Sequence, residues 1–93
     1  MVVKFEWDEV KRRSNLRKHG IDFRDALNVF NGRTLTYEDD RFSYRERRFI
    51  TIGLLRATVV LIAHTESDGI IRIIHVRKAN KQTAATYFAN FRD

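Results

Sequence analysis

Residues 72–80, Arg-Ile-Ile-His-Val-Arg-Lys-Ala-Asn (RIIHVRKAN), decide how this chain folds. The branched apolar residues are those of a buried strand, yet four of the nine side chains carry, or can carry, positive charge. An unpaired cation is costly to bury, so such a strand must be exposed, paired, or built to meet an anion. Working backward, the turn-forming Glu66-Ser67-Asp68-Gly69 separates it from an apolar stretch at Thr58 to Thr65. A tight connection joins that stretch to Arg47 to Leu55, where Ile50, Ile52 and Leu54 recur with period two. Strands joined this closely pair antiparallel, because a parallel pair needs a crossover of about a dozen residues or more. Thr34 to Tyr37 adds a strand before the loop Glu38-Asp39-Asp40, and the whole forms an antiparallel meander.

Upstream of the meander the period is helical. Asp8 stands as the N-cap of a helix running to about Lys18 and stopped at Gly20. Its apolar stripe (Trp7, Val10, Leu16) is thin, which predicts a largely wetted circumference. Asp22 caps a second helix with Phe23, Ala26, Leu27 and Phe30 on one face, ended by Asn31-Gly32. Val2 to Glu6 reads as a short strand. Asn80 caps a last helix whose apolar face is Ala84, Tyr87, Phe88 and Phe91. The order predicts an α+β fold: N-terminal strand, two helices, antiparallel β-meander and C-terminal helix, with the helices on one face of the sheet.

Ninety-three residues suit a single domain spanning 1–93. Cysteine is absent, which removes disulfides, thiolate catalysis and thiolate zinc sites, and fits a reducing cytoplasm. Lys4 and Glu6 interrupt the N-terminus, so no signal peptide is expected, and the run Val59 to Ala63 is too short to span a bilayer. The net charge of +6 and pI near 10.2 favour a polyanionic partner. Thirteen of the eighteen cations are Arg, whose planar fork fits phosphate or carboxylate. Charge is also segregated: five cations and no acid lie between Lys11 and Lys18, and three acids run from Glu38 to Asp40.

With the elements placed, KFEWDEVKRRSNLRKHGIDFRDALNVF (residues 4–30) resembles the opening signature of the BrnT family of bacterial toxins. ERRFITIG, HTE and RIIHVRKA resemble its later blocks in order and spacing, so the likeness covers nearly the whole chain. The resemblance implies a RelE-like fold and a metal-independent endoribonuclease that inhibits translation by cleaving RNA. It further implies neutralisation by a BrnA-like ribbon-helix-helix antitoxin, with operator DNA reached only through that complex, and no cofactor.

Cutting RNA without a metal requires a base for the 2′-hydroxyl, cations for the charged phosphorane, an acid for the 5′-oxygen and a grip on flanking nucleotides. The meander offers Glu46, Arg48, His64, Thr65, Arg72, His75, Arg77 and Lys78. Arg72 and Arg77 match the family's RII…RKA block, which implies phosphate contact; ion pairs with Glu46 or Glu66 are the competing reading. Five apart on a regular strand they face opposite ways, so one site can hold both only through a bulge or a strand end. Arg48 matches the family's E-x-R, with Glu46 as an alternative base. His64 beside Thr65 lies in a matching block and is the first histidine considered for proton transfer; His75 is the second, and His19 reads as a helix C-terminal cap. Lys78, Lys11, Arg12 and Tyr44 complete the expected RNA contacts, Tyr44 by stacking. No metal-ligand spacing is present, so no metal site is expected. The alternative function is a non-catalytic basic module that binds nucleic acid or an antitoxin.

Overall fold

The computed structural model describes residues 3–41 and 45–91. Strand β1 (Lys4–Trp7) leads into helix α1 (Glu9–His19), a 3-10 turn (Phe23–Asp25) and the short helix α2 (Ala26–Phe30). Strands β2 (Thr34–Glu38), β3 (Phe49–Leu55), β4 (Thr58–Ser67) and β5 (Ile70–Lys78) follow, and helix α3 (Lys81–Asn90) closes the chain. The α+β class and the order of elements are those the sequence predicts.

The helix ends follow the expected capping. Asp8 Oδ1 accepts from the Val10 and Lys11 amides at 2.8 and 3.2 Å, and Gly20, at φ 72°, donates its N–H to Leu16 O at 2.9 Å. Asp22 caps the 3-10 turn, and the side-chain hydrogen bond from Arg24, helped by Arg12, pulls its pKa down to about 2. The second helix is shorter than predicted, because its first turn is the 3-10 segment.

The sheet has five strands in the order β1-β5-β4-β3-β2. β2 to β5 form the expected antiparallel meander, and β1 pairs parallel with β5 at the edge. Two apolar clusters lie on opposite faces. On one, Phe23, Ala26 and Val29 pack against Val60, Ile62, Ile73 and Val76. On the other, Tyr87 and Ala79 pack against Ile50, Ile52, Leu61 and Ala63. The helices therefore cover both faces, and the expectation of a single covered face is corrected. Val59-Val60-Leu61-Ile62-Ala63 is apolar at every position because both sides of β4 are buried. Gly53 is required where β3 passes under α2, since a Cβ there would lie 2.7 Å from Val29 Cγ1.

The predicted stripe of α1 is also corrected. Val10 and Leu16 are exposed, at 66% and 41%, and the residue this helix buries is Asn15. Asn15 Nδ2 donates to Val76 O at 2.8 Å and Ile21 O at 3.0 Å, and its Oδ1 accepts from Val76 N at 3.1 Å. β1 reaches only as far as Ile73 along β5, so this amide takes over the pairing of the strand edge beyond it. A polar side chain thus docks α1.

Candidate functional site

β5 carries one irregularity that organises everything beside it. His75 pairs with Ala63 and Ile73 with His64, which leaves Ile74 as an extra residue: a β-bulge. Side chains opposite residues 61, 63 and 65 of β4 share a face, and the partners there are Arg77, His75 and Arg72. The bulge shifts the alternation by one, so both arginines project to one side although they are five apart.

That side is the α3 face, and α3 covers only half of it. Across the sheet the register aligns Leu35, Ile52, Leu61 and Arg77 in one row and Tyr37, Ile50, Ala63 and His75 in the next. Beyond the end of α3 the apolar floor of Ile50, Leu61 and Ala63 opens into a groove of about 420 Å³. His75 and Arg77 on β5 border it on one side, and Tyr37, the loop at Glu38–Arg41 and Arg48, whose carbonyl accepts from the Asp39 amide at 2.8 Å, border it on the other. A second cavity, of about 410 Å³, lies between α1 and the free edge of β5, lined by Lys11, Ser14, Lys18 and His19. His75 and Arg77 border both, so the two hollows meet at these side chains.

His75 is half-buried, and its pKa is lowered first by loss of water and then by the positive charges of Arg77, His19, Arg48 and Lys18. Four cationic or potentially cationic groups, from β5, α1 and the segment before β3, therefore disfavour the protonated form of one imidazole. Arg77 has no carboxylate partner among the described residues.

The predicted residues divide into groups. Arg48, Arg77 and Arg72 share the open face, and Thr65 lies between them, buried and in register with Arg72. Arg72 Nη1 is 3.3 Å from Glu6 Oε1 on β1, so its ion-pair partner is neither Glu46 nor Glu66. Glu46 sits in an exposed bend before β3 and does not line the groove. His64 lies on the face covered by α1 and α2 with no exposed surface, edge-on to Phe30 at 5.3 Å and stacked on Phe49 at 6.0 Å. Its Nε2 is 2.7 Å from Thr51 Oγ1, and burial lowers its pKa to about 4. The structure thus keeps His64 apart from the arginines. Lys78 pairs with Val60 and so projects to the opposite side from Arg77. Arg12 is tied to Glu9 and, at 2.9 Å, to Asp22, whereas Lys11 faces the α1 cavity. Tyr44 lies outside the described residues.

Sequence reasoning ranked His75 below His64 and overlooked Lys18 and His19 as its neighbours. Only their shared basic character pointed that way. Among the described residues no group of three His, Cys, Asp or Glu side chains converges as metal ligands do, and no helix is long and apolar enough to cross a membrane.

The crystal structure of the Brucella abortus ribonuclease toxin BrnT superimposes with a TM-score of 0.68 at 24% identity, over 86% of this chain and 100% of that one. At that identity the likeness speaks for the fold. No curated protein matches the chain. The family model for BrnT, the ribonuclease toxin of a type II toxin–antitoxin system, matches residues 7–83. By a match over most of its length, the chain belongs to the BrnT family of ribonuclease toxins.

Proposed function

We propose that this chain is the toxin of a type II toxin–antitoxin pair and cleaves single-stranded RNA without a metal ion. The observation that carries this reading is the place of half-buried His75 and Arg77 where two hollows meet, one lined also by Arg48 and the other by Lys18 and His19. His75 takes the proton of a ribose 2′-hydroxyl as its oxygen bonds to the adjacent phosphorus. The bond to the 5′-oxygen breaks, that oxygen takes up a proton from solvent, and a 2′,3′-cyclic phosphate remains. Arg77 and Arg48 oppose the charge that grows on the phosphorane, the contribution that preorganised donors make most effectively. Arg72, on the same face, holds a flanking phosphate, and Lys11 in the α1 cavity contacts the backbone further along.

The same basic surface suits an acidic or mixed-charge segment of an antitoxin. We assign that partner to the BrnA-like ribbon-helix-helix class, acting in the cytoplasm and reaching operator DNA only as the complex. Purified protein is expected to cut single-stranded RNA in excess EDTA, to leave cyclic-phosphate ends and to spare DNA, which lacks the nucleophile. Loss of cleavage in EDTA, or products without the cyclic end, would overturn the mechanism.

A further inference from the structure

Phosphate chemistry does not explain the second wall of the sheet-face groove. Across the floor from His75 and Arg77, and beside Arg48, stand Tyr37, 51% exposed, and the acidic run Glu38-Asp39-Asp40. Carboxylates on the rim of a groove that receives a polyanion oppose its binding. Two of them are committed within the loop. Glu38 accepts from Arg47 Nε and Nη2 at 3.0 and 2.9 Å, and the buried Asp39 accepts from Arg41 Nε and Nη2 at 2.8 and 3.0 Å. Asp40 is exposed and has no hydrogen bond or ion pair among the described residues.

We propose that Tyr37 and Asp40 form a guanine-selective base subsite next to the scissile phosphate. This rests on the ribonuclease reading above and names the substrate preference of the same site. Tyr37 is in register with Ile50, so its ring stands at the border of the apolar floor and offers a face for stacking. Arg48 is its diagonal neighbour on the adjoining strand line, which brings a base on Tyr37 within one nucleotide of a phosphate on Arg48 and Arg77. The groove, at about 420 Å³, falls within the roughly 300–1,000 Å³ of small-ligand sites.

Asp40 selects the base by donor count. An ionised carboxylate only accepts hydrogen bonds, through two oxygens side by side. Guanine presents two neighbouring donors, N1–H and the exocyclic N2–H, that meet both oxygens at once. Adenine and cytosine set one exocyclic donor beside a ring-nitrogen acceptor, which the carboxylate repels. Uracil has one imino donor between two carbonyls. The unpaired carboxylate therefore turns from a liability into a reader of the one base that satisfies it.

The test uses single-stranded oligonucleotides that differ only in one central base: G, A, C, U or inosine, which keeps N1–H and lacks the exocyclic donor. Cleavage at G is expected to exceed that at A by about 10- to 100-fold, the usual discrimination of a bidentate base contact, with inosine between them. Asp40→Asn is expected to bring the G and A rates within a few-fold of each other, while Tyr37→Ala raises KM for every base and Tyr37→Phe does not. A parallel set carrying a 2′-deoxy sugar at the cut site measures binding alone, by fluorescence anisotropy. Cleavage without base preference, or a G preference that survives Asp40→Asn, overturns the subsite and leaves the ribonuclease standing. G-selective binding, lost in Asp40→Asn, with no cleavage of the ribo-oligonucleotides supports the subsite and sinks the ribonuclease.

Discussion

Replacing Asn15 with Ala tests whether a single amide docks α1 on the sheet. The side chain makes three hydrogen bonds, and the two to Val76 N and O are buried. Alanine removes both partners of Val76 and admits no substitute from β1, which ends at Trp7 opposite Ile73. A buried polar group left unsatisfied costs about 1–3 kcal/mol, so two of them put the loss at roughly 2–6 kcal/mol. The contact to Ile21 O is only partly buried, so water can replace it and it adds little. That is a large share of a domain's total stability of about 5–15 kcal/mol, and it corresponds to a fall in Tm of roughly 10–50 °C.

Urea unfolding followed by fluorescence of Trp7 suits the measurement, because Trp7 is the sole tryptophan and packs edge-on against Phe23 at 6.4 Å. An unchanged m-value would assign the shift in midpoint to the native contacts rather than to altered compactness. Hydrogen exchange at the Val76 amide gives the local readout: protected in the parent chain and fast in the variant. Asn15→Asp is expected to be no better, since it keeps the acceptor for Val76 N but turns a carboxylate toward Val76 O. A loss below about 1 kcal/mol, with Val76 still protected, would show that apolar packing rather than Asn15 holds α1, contrary to the scale expected for two stranded groups.

Four further outcomes concern the site and the core. Arg77→Ala is expected to lower kcat on RNA by on the order of 10²–10³ with Tm unchanged, because Arg77 has no carboxylate partner among the described residues; a matching drop in Tm would point to a structural role. His75 must be neutral to act as base and its pKa is lowered, so cleavage holds its plateau through neutral pH and falls only on the acid side of the ordinary histidine range. Arg77→Ala also lifts one of the charges that lower that pKa, so the His75 imidazole resonances should titrate at higher pH in the variant. Buried His64, with a pKa near 4 against the ordinary 6.5, binds its proton more readily in the unfolded chain. Stability therefore falls as pH drops from 6.5 toward 4, by up to about 3 kcal/mol, and His64→Gln should flatten that dependence in urea titrations.

Much of the fold was legible because the sequence signals were local. Asp8, Gly20, Asp22 and Asn80 mark helix ends by chemistry that acts within a turn, and Ser67–Gly69 marks a hairpin by the same logic. The distribution of helices between faces was harder, although the unbroken run Val59 to Ala63 carried the information: alternation disappears when both sides of a strand are covered. Docking of α1 left no trace in hydropathy, because Asn15 acts through hydrogen bonds to a residue 61 positions away. The site was legible as an inventory of cations and illegible as a geometry. His64 and His75 each sit among apolar neighbours in sequence, and only the register places one between Phe30 and Phe49 and the other among Arg77, Arg48, Lys18 and His19.

The cation-rich strand lies between β1 and β4, although β1 pairs with it only as far as Ile73. It is tolerated because its two faces meet different neighbours. Ile73 and Val76 enter the core under α1 and α2, while Arg72, His75 and Arg77 emerge where α3 does not reach. A strand of strict alternation could not sort these residues, since putting Ile73 inward places Arg77 inward as well. The extra residue at Ile74 resets the alternation between the two arginines, so the bulge that brings them to one face is the same feature that keeps an arginine out of the core. One backbone irregularity thus serves both the folded sheet and the phosphate site proposed above, which would be carried on a strand rather than on a loop.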